Sequence, residues 1–196
     1  MYCVRFKADD CTVGYLRPWN SVRDGETYSL TYLTPSIIDG IADELGITGK
    51  ILRHKFRFSG MTDEFFKSPE IMRYSARNKS FVAKRVTGLS KIHQVCSPEI
   101  ILGFENKEDA ENAIRQTLYA GQTQYIIFPS TFVDDDEESE EYIFNESNYI
   151  EEMTEEEFSA LSGTETFPTT KEDGVFCGFN RYRDNEKMYI NIVRTK

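Results

Sequence analysis

The stretch "KILRHKFRF", residues 50–58, alternates with period two: Leu52, His54, Phe56 and Phe58 fall on one face, Ile51, Arg53, Lys55 and Arg57 on the other. Only an extended strand sends successive side chains to opposite sides, so this stretch predicts a strand with an apolar face and a three-residue basic rail. "MYCVRFK" repeats the pattern, with Tyr2, Val4 and Phe6 opposed to Cys3, Arg5 and Lys7. Fourteen Phe and eleven Tyr suit half-buried strands better than helices, and a chain of 196 residues is long enough to bury a core. The expectation is an α+β fold: a mainly antiparallel or mixed sheet, two to four short helices, and a C-terminal β-hairpin.

Further strands are expected in "CTVGYL", "ETYSLTYL" and "TQYIIFPS", the last ended by Pro129. "LTPSIIDGIADELG" reads as a helix, with Thr34 as cap, Pro35 at the first helical position and Gly46 past the end. Its apolar stripe is Ile37, Ile38, Ile41, Ala42 and Leu45. Residues 62–76 are expected to hold a helix broken at Pro69, and "SFVAKRVTG" a strand. "PEIILGFENKEDAENAIRQTL" runs from strand into helix, with Asn106 as cap and Ala110, Ala113, Ile114 and Leu118 facing inward. "TEEEFSALSG" is a short helix whose Thr154 and Glu157 are spaced as a capping box. "GVFCGFNRYRDNEKMYINIVR" closes the chain as a hairpin. These elements divide the chain into an α+β core (1–132), an acidic segment with a short helix (133–163) and a hairpin packed on the core (164–196).

Charge is sorted along the chain. The formal net charge is −10, yet residues 116–170 contain no Lys or Arg and hold fourteen carboxylates, leaving 19 of the 33 acids to face 23 bases elsewhere. Residues 71–98 reverse the pattern, with no Asp or Glu beside Arg73, Arg77, Lys79, Lys84, Arg85 and Lys91. Such polarity points to a charged partner or to self-coverage of one region by the other. The acidic stretch opens with Asp134, Asp135, Asp136, Glu137, Glu138, Glu140 and Glu141 and is then interrupted by Tyr142, Phe144 and Tyr149, which suits it to dock on a protein with a basic surface. The basic set Arg53, Lys55, Arg57, Arg73, Arg77, Lys84 and Arg85 could hold a phosphate backbone.

Motifs that carry catalysis are sparse. "GITGK", Gly46 to Lys50, has two residues between its glycines instead of four and sits between helix and strand in the wrong order for a phosphate loop. "EIILGFENK" ends a strand in Glu105-Asn106-Lys107, the Glu-x-Lys tail with which a restriction-type nuclease holds a metal, and Glu70 would be its acidic partner. Mg²⁺ is implied only under that alternative; otherwise no cofactor is expected. "GFENKEDAENAI" resembles the third-strand-to-second-helix passage of RNA-recognition modules over a dozen residues. Its strand offers only Phe104 where such a module stacks bases, so no role is carried over. His54 falls on an apolar face as a core residue, and His93 sits in a basic loop near Cys96.

The four cysteines form no close pair, and no run approaches the ~20 apolar residues of a membrane span. The expectation is a cytoplasmic chain with free thiols and no membrane partner. It would be a non-enzymatic binding protein, in its most concrete version an inhibitor or accessory factor of a nucleic-acid-handling protein, and a small viral protein fits. The alternatives are the metal-dependent nuclease and a structural assembly subunit.

Overall fold

The computed structural model describes residues 1–7, 13–16, 26–67, 71–75, 77, 79–84, 89–120, 126–129 and 150–196. The chain begins β1 (Tyr2–Lys7), β2 (Val13–Gly14), β3 (Glu26–Tyr28), α1 (Pro35–Glu44) and β4 (Ile51–Arg57). It continues β5 (Gly60–Lys67), β6 (Ile71–Ser75), β7 (Ser80–Lys84), β8 (Leu89–Cys96), β9 (Glu99–Phe104) and α2 (Lys107–Ala113). Then come β10 (Leu118–Tyr119), β11 (Ile126–Pro129), β12 (Ile150–Glu152), α3 (Glu155–Ala160), β13 (Gly163–Pro168), β14 (Val175–Asn180) and β15 (Glu186–Thr195). The fold is α+β, with a mainly antiparallel sheet and three helices among the described residues.

The principal sheet runs β10-β11-β1-β9-β4-β13-β15-β14, with β12 also paired to β1. Within it, β1, α1, β4, β9, α2 and β11 follow a β-α-β-β-α-β course in which β9 and β1 are the central strands. Val4, Phe6, Ile100, Leu102, Phe104 and Phe56 turn to the helical side and meet Ile41 and Leu45 of α1 and Ala110, Ala113 and Ile114 of α2. The apolar face that alternation predicts for β1 and the inward residues that helical spacing predicts for α2 thus join one core. The opposite face carries Cys3 and Ile101, which pack against Phe158 of α3 with Met1, Met153 and Leu161.

Helix ends follow local chemistry. Thr34 Oγ1 accepts from Ile37 N, and Pro35 opens α1. After Leu45, Gly46 takes φ +62, so that Gly46 N reaches Asp43 O and Ile47 N reaches Ala42 O. That pairing satisfies the last carbonyls and needs a residue without a Cβ penalty. In α3 the capping box is complete: Thr154 Oγ1 accepts from Glu157 N, and the Glu157 carboxylate accepts from Thr154 N at 2.7 Å. Those bonds to Thr154 hold the Glu157 carboxyl below the usual range.

The structure departs from expectation in four places. Residues 62–67 and 71–75 are strands, not helix: β5 pairs antiparallel with β8 from Gly60↔Cys96 to Lys67↔Leu89, and Ile71–Ser75 pairs with Ser80–Lys84. Long-range pairing overrides a helical pattern that had no strong caps. His93 lies in β8 rather than in a loop. Leu52 is turned out of the apolar face it was assigned to, because the β4–β9 register shifts between Ile51 and Arg53. Asn106 is the N-cap of α2 but makes no side-chain cap bond.

"GITGK" also acquires a role. Thr48 N and Gly49 N donate to the buried Asp109 carboxylate at 3.0 and 2.8 Å, the Thr48 hydroxyl adds a third bond, and Asn106 Nδ2 lies 3.4 Å away. Burial works against the charged form of Asp109, but these donors outweigh it and hold the carboxyl below its ordinary range. The loop holds an anion after all, and that anion is the protein's own.

Candidate functional site

The basic rail occupies the outer face of the principal sheet, where α3 lies. Arg53 donates from Nε and Nη2 to Glu165 at 2.6 and 2.7 Å, and Lys55 Nζ stands 3.6 Å from the same carboxylate. Arg57 makes a bidentate pair with Glu99, with Nη2 donating at 2.8 Å, and Arg5 Nε is 3.2 Å from Glu99. Glu165 and Glu99 are both buried, and so is Lys55, whose Nζ also donates to Thr195 Oγ1 at 2.8 Å. Fork-to-fork guanidinium–carboxylate contacts of this kind are strong and geometrically selective. The rail therefore turns inward: Arg53, Lys55 and Arg57 are committed to Glu165 and Glu99, because a cation buried in a sheet needs a carboxylate beside it. Lys55 in particular is not held out to a phosphate backbone.

The short helix reinforces this. Arg53 Nη1 donates to the Glu155 carbonyl and to Ser159 Oγ, and its guanidinium lies 5.2 Å from the centre of the Phe158 ring. Lys55 Nζ is 5.9 Å from the same ring. Burial lowers the Lys55 pKa against the pull of Glu165, whereas bonding to Glu165 raises that of Arg53. The acidic region thus covers part of the protein's own basic surface, by an aromatic ring and backbone oxygen; the side chains of Glu152, Glu155 and Glu156 face solvent.

The remaining candidates are dispersed. Asp134, Asp135, Asp136, Glu137, Glu138, Glu140, Glu141, Tyr142, Phe144 and Tyr149 lie outside the described residues, as do Glu70 and Arg85. The chain leaves β11 at Pro129, beside Phe6, and rejoins at Ile150, beside Val4, so both ends of the acidic run are tied to β1. Arg73 and Lys84 belong to β6 and β7, and Arg77 is exposed between those strands. Glu105 and Lys107 stand exposed where β9 turns into α2, and Lys107 Nζ is 3.5 Å from Glu111 on its own helix. Among the described residues no group of three or more His, Cys, Asp or Glu side chains could hold a metal ion. Cys3, Cys96 and Cys177 are free, and burial pushes the thiols of Cys3 and Cys177 up to about 11.

His54 is buried and its Nε2 lies 2.9 Å from Thr166 Oγ1, which donates in turn to Leu33 O at 2.6 Å. Burial lowers its pKa to about 4. It is a core histidine.

A second surface went unremarked in the sequence. Strands β2, β3, β8 and β5 form a separate sheet in which Tyr28, His93 and Asp63 stand side by side. Tyr28 stacks on His93 with ring centres 3.9 Å apart. Asp63 Oδ1 is 2.5 Å from His93 Nδ1, and its Oδ2 is 2.7 Å from Lys91 Nζ, which sits 5.7 Å from the Phe65 ring. The bond to Lys91 is the chief influence holding the Asp63 carboxyl below its usual range. Tyr28 and Phe65 are 51% and 61% exposed, an aromatic surface on a sheet that branches from the core. The alternation in "LSKIHQVC" was the available signal for β8, but its parallel partnership with β3 was not visible in one sequence.

No family model matches the chain, and no curated protein matches it. Among solved structures it is similar to a chain from a "CRISPR RNA-guided surveillance complex", at 13% identity and a TM-score of 0.46, over 99% of this chain and 89% of that one. No described helix is long and apolar enough to cross a membrane.

Proposed function

We propose that the chain is a non-enzymatic binding protein that docks on a basic protein surface through residues 134–157. Tyr142, Phe144 and Tyr149 serve as anchors and the carboxylates supply attraction and orientation. The target is a protein that handles nucleic acid, whose cationic channel suits a dense run of carboxylates, and the docked chain acts as its inhibitor or accessory factor. One observation carries this proposal: the chain leaves the sheet beside Phe6 and rejoins it beside Val4. Two residues along a strand span ~7 Å, so the residues that flank the acidic run, Pro129 and Ile150, are both fixed at one place on β1. Its charge continues onto Glu152, Glu155 and Glu156, which face solvent beside the anchored end.

The test is an affinity capture from the native host, comparing the parent with two variants. One replaces the seven carboxylates between Asp134 and Glu141 by Asn and Gln; the other is Tyr142→Ala with Phe144→Ala and Tyr149→Ala. A specific partner held by the parent should be weakened by both, more by the aromatic set, and the first loss should mimic added salt. A partner bound equally by all three proteins would refute the proposal.

Nucleic-acid binding through the β6–β7 strands is a second proposal, favoured by the exposure of Arg77 and Lys79 between them. Labelled DNA and RNA with and without Mg²⁺ distinguish it: salt-sensitive retention lost in Arg77→Ala with Lys79→Ala supports binding. Mg²⁺-dependent cleavage abolished by Glu105→Ala would instead establish the nuclease alternative with Glu70, Glu105 and Lys107.

A further inference from the structure

One face of the small sheet carries Tyr28, His93, Asp63, Lys91 and Phe65. Register sets Tyr28 beside His93, His93 beside Asp63, and Lys91 beside Phe65. Side chains two apart on a strand point the same way, so Met61 joins them from β5. Tyr28, Phe65 and Met61 are all exposed. Single exposed apolar residues are ordinary, but three on one face of one small sheet make a patch. It lies on β3, β8 and β5, outside the β-α-β-β-α-β part of the principal sheet.

Charge is settled within the patch. Asp63 holds both Lys91, at 2.7 Å, and His93, at 2.5 Å. Lys91 also lies against the Phe65 ring, so what the patch presents is chiefly ring surface. The cations come from next door. The chain inserts the β6–β7 pair between β5 and β8, and the residues at either side of that insertion, Lys67 and Leu89, are register partners. Chain length alone keeps Ile71 within ~14 Å of Lys67 and Lys84 within ~18 Å of Leu89. Phe65 and Lys91 stand two residues from that same end of the sheet. Residues 71–98 hold six Lys and Arg and no Asp or Glu, and Arg77 and Lys79 are exposed between β6 and β7.

Rings beside a cationic strand pair fit one class of partner. Bases stack on aromatic side chains whatever their sequence, and the phosphates that link them are held by Lys and Arg. A duplex keeps its bases stacked on one another and offers these rings nothing. An apolar protein surface would cover the rings but give the cations no counter-charge. We infer that Tyr28 and Phe65 are a stacking platform for the bases of a single-stranded nucleic acid whose phosphates run onto the β6–β7 pair. This inference rests on the β6–β7 nucleic-acid reading and gives its substrate class.

The test is fluorescence anisotropy of the full chain with labelled oligonucleotides of ~12 nucleotides, offered as single-stranded RNA, single-stranded DNA and duplex. Single strands should bind more tightly than the duplex, and the RNA and DNA arms identify the polymer. Tyr28→Ala and Phe65→Ala should each weaken single-strand binding ~5-fold or more. Phe65→Leu, which keeps apolar bulk at an exposed position, should weaken it too, whereas Tyr28→Phe and Phe65→Tyr should bind like the parent. Salt separates rings from charges: the ring variants should keep the slope of log affinity against log salt, and Arg77→Ala with Lys79→Ala should flatten it by ~1–1.5. If only the Arg77 and Lys79 variant loses affinity, the platform is overturned while the β6–β7 reading stands. Duplex binding as tight as single-strand binding also overturns the platform. A parent that binds no oligonucleotide overturns both, and a host protein released by Phe65→Ala would then assign the patch to a protein.

Discussion

Removing the carboxylate of Glu165 should be among the most damaging single changes to this protein. Glu165 is 2% exposed and is shared by Arg53 and by Lys55, itself 1% exposed. At 3.6 Å and an effective dielectric of ~20, the Lys55–Glu165 attraction alone is ~5 kcal/mol before desolvation is subtracted. Glu165→Gln keeps the volume but leaves an ammonium buried beside a guanidinium, a situation that costs ~3–5 kcal/mol. Urea unfolding should show that loss as a lower midpoint with an unchanged slope. Adding Lys55→Met removes the stranded charge, so the double variant should be more stable than Glu165→Gln alone. The pH dependence supplies a second signature. Burial has lowered the Lys55 pKa, so its ammonium costs most at neutral pH and the cost is relieved as pH rises toward ~10.4, the ordinary lysine value. Glu165→Gln deepens that lowering, so the variant should regain stability relative to the parent between neutral and alkaline pH. A loss under ~1 kcal/mol, or strict additivity with Lys55→Met, would refute the claim that this buried trio is a coupled unit.

Three further outcomes follow from the same geometry. His54, with a pKa lowered to about 4 by burial against ~6.5 when unfolded, should cost the parent up to ~3 kcal/mol as pH falls through that window. Replacing it by Gln should flatten that part of the acid unfolding curve, and an unchanged curve would contradict its burial as a neutral group. Asp109→Ala strands Thr48 N and Gly49 N at the α1–β4 connection and should cost ~2–3 kcal/mol by denaturant titration. Gly46→Ala forces a Cβ into φ +62 and should cost ~1 kcal/mol, read from the thermal midpoint, while Gly46→Asn should cost less.

Much of the architecture was legible because it rests on local rules. Period-two alternation announced β1 and β4, the Thr34-Pro35 start and Gly46 stop bounded α1, and Thr154 with Glu157 marked α3. Ala110, Ala113, Ile114 and Leu118, assigned inward from helical spacing alone, are all buried. Residues 62–67 differ from the helix expected there because "MTDEFF" has no cap and no clean period, and its strand character comes wholly from pairing with β8. The candidate site was harder still. Arg53, Lys55 and Arg57 were visible as a row, but Glu99 and Glu165, the residues that neutralise them, lie 42 and 112 positions away in the pairs they make.

What the amino-acid order settled by itself is the inventory of strands and helices and which side of each is apolar, since those depend on spacing and on the few residues at each end. What only the folded chain decided is the destination of charge. A guanidinium seeks water, phosphate or a carboxylate with equal readiness, and the choice turns on which strands become neighbours. Here β4 lies between β9 and β13. Those neighbours bring one buried carboxylate each, and a row of cations that looked like a free surface became a set of ion pairs, with Lys55 buried among them.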